Sequence, residues 1–213
     1  MKFEFSKVKD FDRHIELSIP NYQTLSNVFS GICTAFAQPE TSVIDIGCST
    51  GRFLDSLPDF ENVDLIGIDN QMQPVSNKIE FINIDVGLRE TIIEFTKEPS
   101  VFVSMFTLQF LGSPKRKNVL RMIKKYVDNG AIFLVAEKVH LADPKIEMLI
   151  HRMHIQEKRK NFTDKEILKK DSELMMSMYC LTLDDLFKEL SEVGIVSQVW
   201  QSYNFVGYAV QKK

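Results

Sequence analysis

Length, composition and charge exclude several classes of protein. The chain has 213 residues, 44% hydrophobic and 26% charged, which predicts one compact domain over residues 1–213 with a sizeable core. Its net charge of −3 gives no overall electrostatic reason to expect duplex nucleic acid or an anionic membrane as the main partner. Three cysteines at unrelated spacings indicate neither a disulfide framework nor a zinc site. No apolar run approaches the roughly 20 residues that span a bilayer, so the sequence predicts a cytoplasmic protein without a membrane partner.

Five apolar runs rich in branched residues predict strands along the first two thirds of the chain. A helix over 114–127 and an Asn129-Gly130 turn precede the fifth run. Near-continuous apolar strands separated by helices or loops are typical of a parallel sheet that is covered on both faces. The five predicted strands are Ser42–Gly47, Asp64–Asp69, Ile79–Asp85, Ser100–Phe106 and Ala131–Val139.

The C-terminal region has a different pattern. Ser197–Tyr203 and Asn204–Gln211 are two strand-like runs with almost nothing between them, and such a tight connection permits only an antiparallel pair. The sequence therefore predicts an α/β fold with a mostly parallel seven-stranded sheet that ends in an antiparallel hairpin. This layout resembles the Rossmann-like fold of the class I methyltransferases. The segment 71–78 is too short for the usual crossover helix, so a loop or single turn is expected there, and a second copy in a homodimer could cover the exposed sheet face.

The first predicted strand runs into a turn that contains glycines at positions 47 and 51. Glycine lets the backbone pass close to a ligand, and the helix that follows offers unpaired N–H groups. The dinucleotide pattern requires glycines where this chain has Ser49 and Arg52. The segment Asp45 to Gly51 instead has the Asp-x-Gly-x-(Gly/Ser)-x-Gly form used for S-adenosylmethionine. An ordinary strand-to-helix turn is the alternative.

Acidic residues end the next two predicted strands. Asp69, followed by Asn70, lies about twenty residues after the glycine turn, where a carboxylate can accept both ribose hydroxyls of a nucleoside at the carboxyl edge of the sheet. Asp85 is expected to accept from the adenine amino group. A solvated turn residue is the alternative for Asp69, and a cap at the strand end is the alternative for Asp85.

Short motifs run in one order through nearly the whole chain. The first half has Phe11-Asp12-x-His14, Ser18-Ile19-Pro20-x-Tyr22, Gln38-Pro39, Asp45-Ile46-Gly47-Cys48-Ser49 and Ile68-Asp69-Asn70. The second half has Phe106-Thr107-Leu108-Gln109-Phe110-Leu111, Glu137-Lys138, Met153-His154, Lys158-Arg159, Val199-Trp200 and Asn204-Phe205. This series resembles the carboxy-S-adenosyl-L-methionine synthases.

The resemblance implies an activity and a set of cofactor contacts. Enzymes of that family bind S-adenosylmethionine and use prephenate to make a carboxylated sulfonium, which a partner enzyme spends on a tRNA wobble uridine. The N-terminal region 1–36 would form a helical lid over the cofactor. The residues implied to hold the cofactor are Tyr22, Gly47, Cys48, Ser49, Gly51, Asp69, Asn70, Asp85 and Val86.

Two positions depart from the family pattern. Met105 stands where the family has an asparagine that helps to hold the amino-acid end of the cofactor. Asp171 stands where the family has an arginine that clamps the added carboxylate, and a carboxylate there would repel that group. Lys170 takes the position if the register slips by one residue, although it lacks the bidentate fork of arginine.

Residues 143–180 are expected to form a helical cap over the substrate. Thr163 and Glu166 form a capping-box pattern that predicts the start of a helix, and the later part, 174–178, is dense in methionine. These methionines suit an adaptable pocket, a dimer contact or ordinary core. The run Lys158-Arg159-Lys160 is either a solvated face or a contact to an anionic substrate, with Arg159 the candidate. The four histidines show no metal-ligand spacing.

The sequence leaves three functions open. Position 104–107 lacks the motifs of the common DNA base methyltransferases, and no catalytic base is evident. Methyl transfer to an unidentified acceptor, either a small molecule or RNA, is the first hypothesis. The alternatives are a carboxy-S-adenosylmethionine synthase and a cofactor-binding regulator without catalysis. Met105 and Asp171 favour methyl transfer.

Overall fold

The fold is built on one twisted sheet. A computed structural model describes residues 10–71, 76–88, 93 and 95–213. Seven strands lie side by side in the order β3-β2-β1-β4-β5-β8-β7, and the two-residue β6 pairs with the end of β5 off this path. The strands are β1 Ser42–Ile46, β2 Asp64–Asp69, β3 Ile79–Asn83, β4 Pro99–Met105, β5 Ile132–His140, β6 Leu181–Thr182, β7 Ile195–Ser202 and β8 Phe205–Gln211.

The direction of the strands agrees with the sequence prediction. Strands β3, β2, β1, β4 and β5 are parallel, whereas β8 is antiparallel to both β5 and β7. The third strand is shorter than predicted and ends at Asn83, because Asp85 turns the chain by accepting the backbone N–H groups of Gly87 and Leu88. The predicted turn within 71–78 falls largely on residues 72–75, which lie outside the described residues.

Seven helices are described, and side chains cap several of them. Thr163 and Glu166 form the predicted capping box at the start of α6, each accepting a backbone N–H of the other. Asp143 caps α5, and Pro144 occupies its first position, where a missing N–H costs nothing. The helices are α1 Phe11–Ser18, α2 Tyr22–Phe36, α3 Arg52–Asp55, α4 Ser113–Val127, α5 Pro144–Lys158, α6 Asp164–Met175 and α7 Leu183–Val193.

Each face of the sheet has its own hydrophobic core. Alternate side chains of a strand point to opposite faces, so Ile44 packs in one core and Val43 in the other. The first core is closed by α4 and α7, and the second by α2 and α3. Complete burial of a side chain such as Phe29 or Phe102 contributes about 1.5–3 kcal/mol. The sheet is therefore covered on both faces, as the apolar strands predicted.

Within the described part of the chain, every helix is too short or too polar to cross a lipid bilayer.

Candidate functional site

A large cavity opens at the carboxyl edge of the parallel strands. Its volume is about 1470 Å³. The ends of β1, β2, β4 and β5 form its floor, and helices α1, α5 and α6 supply side chains from above. Of the residues predicted from the sequence, the cavity is lined by Tyr22, Gly47, Cys48, Ser49, Asp69, Asn70, Asp85, Val86, Met105, Lys170 and Asp171.

The glycine turn needs its glycines for two different reasons. Gly47 has φ 77°, and a Cβ there would lie 2.0 Å from Oγ1 of Thr107. Only glycine therefore lets the turn pass so close to Thr107, in the segment after β4. Gly51 has φ 76°, but its missing Cβ faces the ring of Phe81 at 2.7 Å, and Gly51 does not line the cavity. Its requirement is packing against β3.

Asp69 fixes the shape of the glycine turn. Its Oδ2 accepts the backbone N–H of Ser49 at 3.0 Å, and its Oδ1 accepts that of Gln71 at 2.7 Å. Ser49 has φ 50°, a left-handed conformation that is uncommon outside glycine and that this hydrogen bond helps to hold. Each carboxylate oxygen retains a second acceptor site for a ligand hydroxyl.

Asp85 lies at the end of the cavity beside β3. It accepts the backbone N–H of Gly87 at 3.1 Å and is in close contact with Nζ of Lys115. This arrangement combines the predicted ligand position with the turn-forming role that was its alternative. Val86 and Asn70 line the same end.

A buried carboxyl group, of Asp45, and a partly buried phenol, of Tyr22, line the cavity near the glycine turn. Burial, assisted by the charge of Asp69, raises the pKa of Asp45 to about 8. Burial, followed by the influence of Asp45, also raises the pKa of Tyr22. The Tyr22 ring lies 6.4 Å from that of Phe106. Asp45 is a residue whose position in the cavity could have been anticipated, because it begins the glycine motif.

Helix α1 bridges the glycine turn and the cap. On one side, Thr50 donates its hydroxyl to Asp12 at 2.6 Å, and Arg52 pairs with Glu16 at 2.5 Å. On the other side, Lys170 of α6 donates to Oγ of Ser18 at 3.0 Å and is in close contact with Nε2 of His14. The sequence predicts a lid in this region but gives no signal for these partners, which lie up to 156 residues apart.

Another hydrogen bond joins α5 to the end of α1. Nε2 of His154 donates to the carbonyl oxygen of Ser18 at 2.8 Å. Burial, followed by the charge of Lys158, lowers the pKa of His154 to about 3. The ring is therefore neutral at physiological pH and carries its proton on Nε2, since a carbonyl oxygen only accepts.

Two partly buried lysines from the cap line the cavity. Burial, followed by the charge of Lys158, lowers the pKa of Lys170 to about 7. Burial, followed by the charge of Lys138, lowers the pKa of Lys158 to about 8, although Asp171 acts in the opposite direction. Asp171 lies on a different side of α6, with Oδ2 4.0 Å from Nε2 of His151.

Arg159 occupies a different environment from Lys158. Its Nε donates to Asp164 at 2.7 Å, nearly half of its side chain is exposed, and it is not one of the described residues that line the cavity. The structure thus assigns the solvated role to Arg159 and brings Lys158 to the cavity.

The segment after β4 is held by a buried glutamate. Glu137 accepts the backbone N–H groups of Leu108 and Gln109 at 2.9 and 2.8 Å. Burial raises the pKa of Glu137 to about 8 in spite of these hydrogen bonds. Oε1 of Gln109 in turn accepts from the backbone of Lys138 at 2.8 Å. This network positions Met105 and Thr107 at the cavity wall.

The methionine-rich segment is not ordinary core. Met175 and Met176 are 78% and 69% exposed, and Met175 and Met178 also line the cavity.

Among the residues with described positions, no group of three or more His, Cys, Asp or Glu side chains could hold a metal ion.

Comparison with solved structures identifies the fold. No protein-family model matches the chain. The plantazolicin methyltransferase BpumL, solved with a monoazolic desmethylPZN analogue and SAH, superposes with a TM-score of 0.63 at 15% identity and covers 94% of this chain and 87% of its own. The fold is thus the Rossmann-like fold of the class I methyltransferases.

Curated relatives share much more of the sequence. The carboxy-S-adenosyl-L-methionine synthase of Pseudomonas aeruginosa is 30% identical over 95% of this chain and 89% of its own length. That of Idiomarina loihiensis is 29% identical over 99% and 92%. The chain belongs to the carboxy-S-adenosyl-L-methionine synthase family, which confirms the predicted resemblance.

Proposed function

We propose that the protein binds S-adenosylmethionine in this cavity and transfers its methyl group to a small, negatively charged acceptor. The observation that carries the proposal is the pair of partly buried amines, Lys158 and Lys170, in the same cavity as the glycine turn and Asp69. S-adenosylmethionine is the cofactor that the enzymes of this family use, and the volume of the cavity leaves room for a co-substrate beside it.

In the half of the cavity that holds the cofactor, the proposed contacts are those predicted from the sequence. The ribose hydroxyls bind to Asp69, the adenine amino group binds to Asp85, and the amino-acid end lies over the glycine turn near Asp45. The ammonium group of the cofactor would favour the ionised form of Asp45, which burial otherwise opposes. Tyr22 closes this half from α2.

The acceptor half is defined by charge. A charged lysine loses hydration on burial, and a second lysine nearby adds repulsion. An anion that binds between the two ammonium groups therefore stabilises both of them. A carboxylate or phosphate on the acceptor supplies that anion. The aromatic side chains Phe11, Phe106, Phe110 and Tyr179 in the cavity wall favour a flat or cyclic acceptor.

The chemistry needs little beyond positioning. Methyl transfer from a sulfonium is an in-line displacement in which the C–S electron pair leaves with sulfur, so alignment and exclusion of water provide much of the rate. Helices α1, α5 and α6 supply that exclusion.

Carboxylation of the cofactor is the second candidate. Family membership favours it, and Lys170 offers a cation for the added carboxylate. Against it, Met105 and Asp171 both line the cavity, so one polar contact to the cofactor is missing and a carboxylate faces the product's own carboxylate. If the protein carboxylates the cofactor, the product would serve a partner enzyme in tRNA modification.

Mass spectrometry separates the two candidates. The purified protein is analysed for co-purifying nucleosides, and then incubated with S-adenosylmethionine and prephenate. We expect S-adenosylmethionine or S-adenosylhomocysteine and no carboxylated sulfonium in either sample. Detection of the carboxylated species in the unmodified protein would reject methyl transfer and establish the second candidate.

A matched variant tests the acceptor compartment. Lys170→Met retains the aliphatic stem but removes the amine, and should weaken binding of 4-hydroxybenzoate, used here as a small anionic probe, about tenfold or more. Arg159→Met, at the exposed end of α5, should leave it unchanged. Equal loss in both variants would contradict a specific role for Lys170.

Three further expectations complete the proposal. We infer one domain over residues 1–213, a cytoplasmic location, and a homodimer in which the exposed apolar side chains of α5 and α6, such as Ile146, Leu149 and Leu168, meet a second copy.

A further inference from the structure

We propose that His140 and Glu147 form a general-base dyad that removes the proton of a hydroxyl group on the acceptor, an inference that rests on the proposed methyl transfer. Nδ1 of His140 lies 2.6 Å from Oε1 of Glu147, and both residues line the cavity. Neither is part of the cofactor motifs.

The fold brings the two residues together at a useful place. His140 is the last residue of β5, at the carboxyl edge of the sheet, and Glu147 lies in the first turn of α5. Strand β5 is two positions from β1 in the sheet, so the two strands lie about 10 Å apart, and β5 continues past the level of the glycine turn before it ends at His140. The two residues therefore lie on the side of the cavity that holds the lysines, where the acceptor is expected, and not on the side of Asp85.

The hydrogen bond selects the tautomer of the imidazole. A carboxylate accepts, so Nδ1 carries the proton and Nε2 keeps its lone pair. Glu147 is therefore a positioning residue that orients the ring and stabilises the imidazolium formed when Nε2 takes a proton. About half of the His140 side chain is exposed, which gives the captured proton a route to solvent.

The step balances without another reactant. The acceptor O–H bond breaks, and its proton moves to Nε2 of His140. The oxygen lone pair forms the bond to the methyl carbon, and the C–S electron pair leaves with sulfur to give S-adenosylhomocysteine. The acceptor that fits best is a phenol or an enol that also carries a carboxylate. Its acidic hydroxyl suits a histidine base, its flat part suits the aromatic walls, and its carboxylate suits the lysines.

The test uses 4-hydroxycinnamate, a phenol that carries a carboxylate and whose phenolate absorbs at longer wavelength than the neutral form. With excess S-adenosylhomocysteine present at neutral pH, the wild-type protein should show the phenolate band of the bound probe. His140→Gln should abolish the band, and Glu147→Gln should weaken it. Glu157→Gln removes an exposed carboxylate on the same helix and should leave the band unchanged.

Each other result overturns the dyad. An unchanged band in His140→Gln, loss of the band in His151→Gln instead, or a wild-type protein that does not ionise the probe would each reject it. A second assay with S-adenosylmethionine measures S-adenosylhomocysteine release, where His140→Gln should lower kcat about 100-fold with little change in KM. The phenolate band without methyl release would uphold the dyad and reject methyl transfer. Release of S-adenosylhomocysteine that persists in His140→Gln would uphold methyl transfer and reject the dyad.

Discussion

The carboxylate of Asp69 and the backbone N–H of Ser49 are 3.0 Å apart, although the residues belong to different strand ends and lie 20 positions apart in the chain. This bond joins β2 to the turn after β1 and holds Ser49 in a left-handed conformation. The side chain proposed to bind the ribose thus also shapes the turn that lies under the cofactor. Loss of Asp69 has two consequences, one for contact and one for preorganisation.

Replacing Asp69 by alanine should weaken S-adenosylmethionine binding by about 1.5–3 kcal/mol, because charge-assisted hydrogen bonds to the ribose are lost. Isothermal titration calorimetry measures the change. Asp64→Ala, at the opposite end of the same strand, is the control, since Asp64 pairs with Lys97 away from the cavity. Equal affinities for wild type and Asp69→Ala would refute the ribose assignment.

Gly47→Ala should abolish cofactor binding and lower the free energy of unfolding, because the new Cβ would overlap the Thr107 side chain. Gly130→Ala provides the comparison: Gly130 also has a positive φ, 109°, but no atom lies within 4 Å of its missing Cβ. Gly130→Ala should therefore report only the backbone cost, about 1 kcal/mol, with full binding. Calorimetry and urea unfolding of both variants test this, and normal binding by Gly47→Ala would show that the glycine is dispensable.

Asp45 should make the cofactor-free protein less stable as the pH rises. Burial raises the pKa of this carboxyl to about 8 in the folded protein, well above its ordinary value of 3.8. Its stabilising contribution is complete below about pH 4, where both states are protonated, and is lost as the pH rises toward 8, because only the unfolded chain ionises readily.

Asp45→Asn removes that titration. Between pH 5 and pH 8 the wild-type protein should lose on the order of 3–4 kcal/mol more of its unfolding free energy than the variant does. Urea denaturation at several pH values measures both. Parallel pH dependences for the two proteins would mean that Asp45 is ionised in the fold.

Asp171→Arg should confer affinity for carboxy-S-adenosylmethionine, because it places a bidentate guanidinium at the position where relatives are expected to clamp the added carboxylate. Met105→Asn should add a second polar contact in the double variant. Titration calorimetry with the carboxylated compound gives both affinities. Asp164→Arg, on the exposed first turn of α6, is the charge-matched control, and an equal gain there would indicate a general charge effect.

The sequence alone predicts those features that depend on local pattern. Apolar runs predict β1 and β2 with nearly their observed bounds, and the capping box predicts the start of α6, because both are decided by neighbouring residues. The glycine turn brings Gly47, Ser49 and Asp69 together, since parallel strand ends meet at one edge of a sheet.

Features that depend on long-range packing are not evident in the sequence. In the run Lys158-Arg159-Lys160, the orientation of α5 decides which cation faces the cavity. The sequence left open whether the run is solvated or contacts a substrate, with Arg159 the candidate, and Lys158 is the member that lines the cavity. The His140–Glu147 pair joins a strand end to a helix across a short loop, and neither residue type indicates the other. The role of Gly51 as a packing residue required the position of Phe81 on β3.

The double attachment of α1 has a kinetic consequence. Asp12 and Glu16 hold this helix to the glycine turn, while His14 and Ser18 hold it to Lys170 on the cap. A nucleoside that leaves the cavity past α1 must break one of these two sets of bonds. An anion that favours the charged form of Lys170 strengthens the set that joins α1 to the cap. Turnover is thus expected to follow a compulsory order, in which the nucleoside enters first and leaves last.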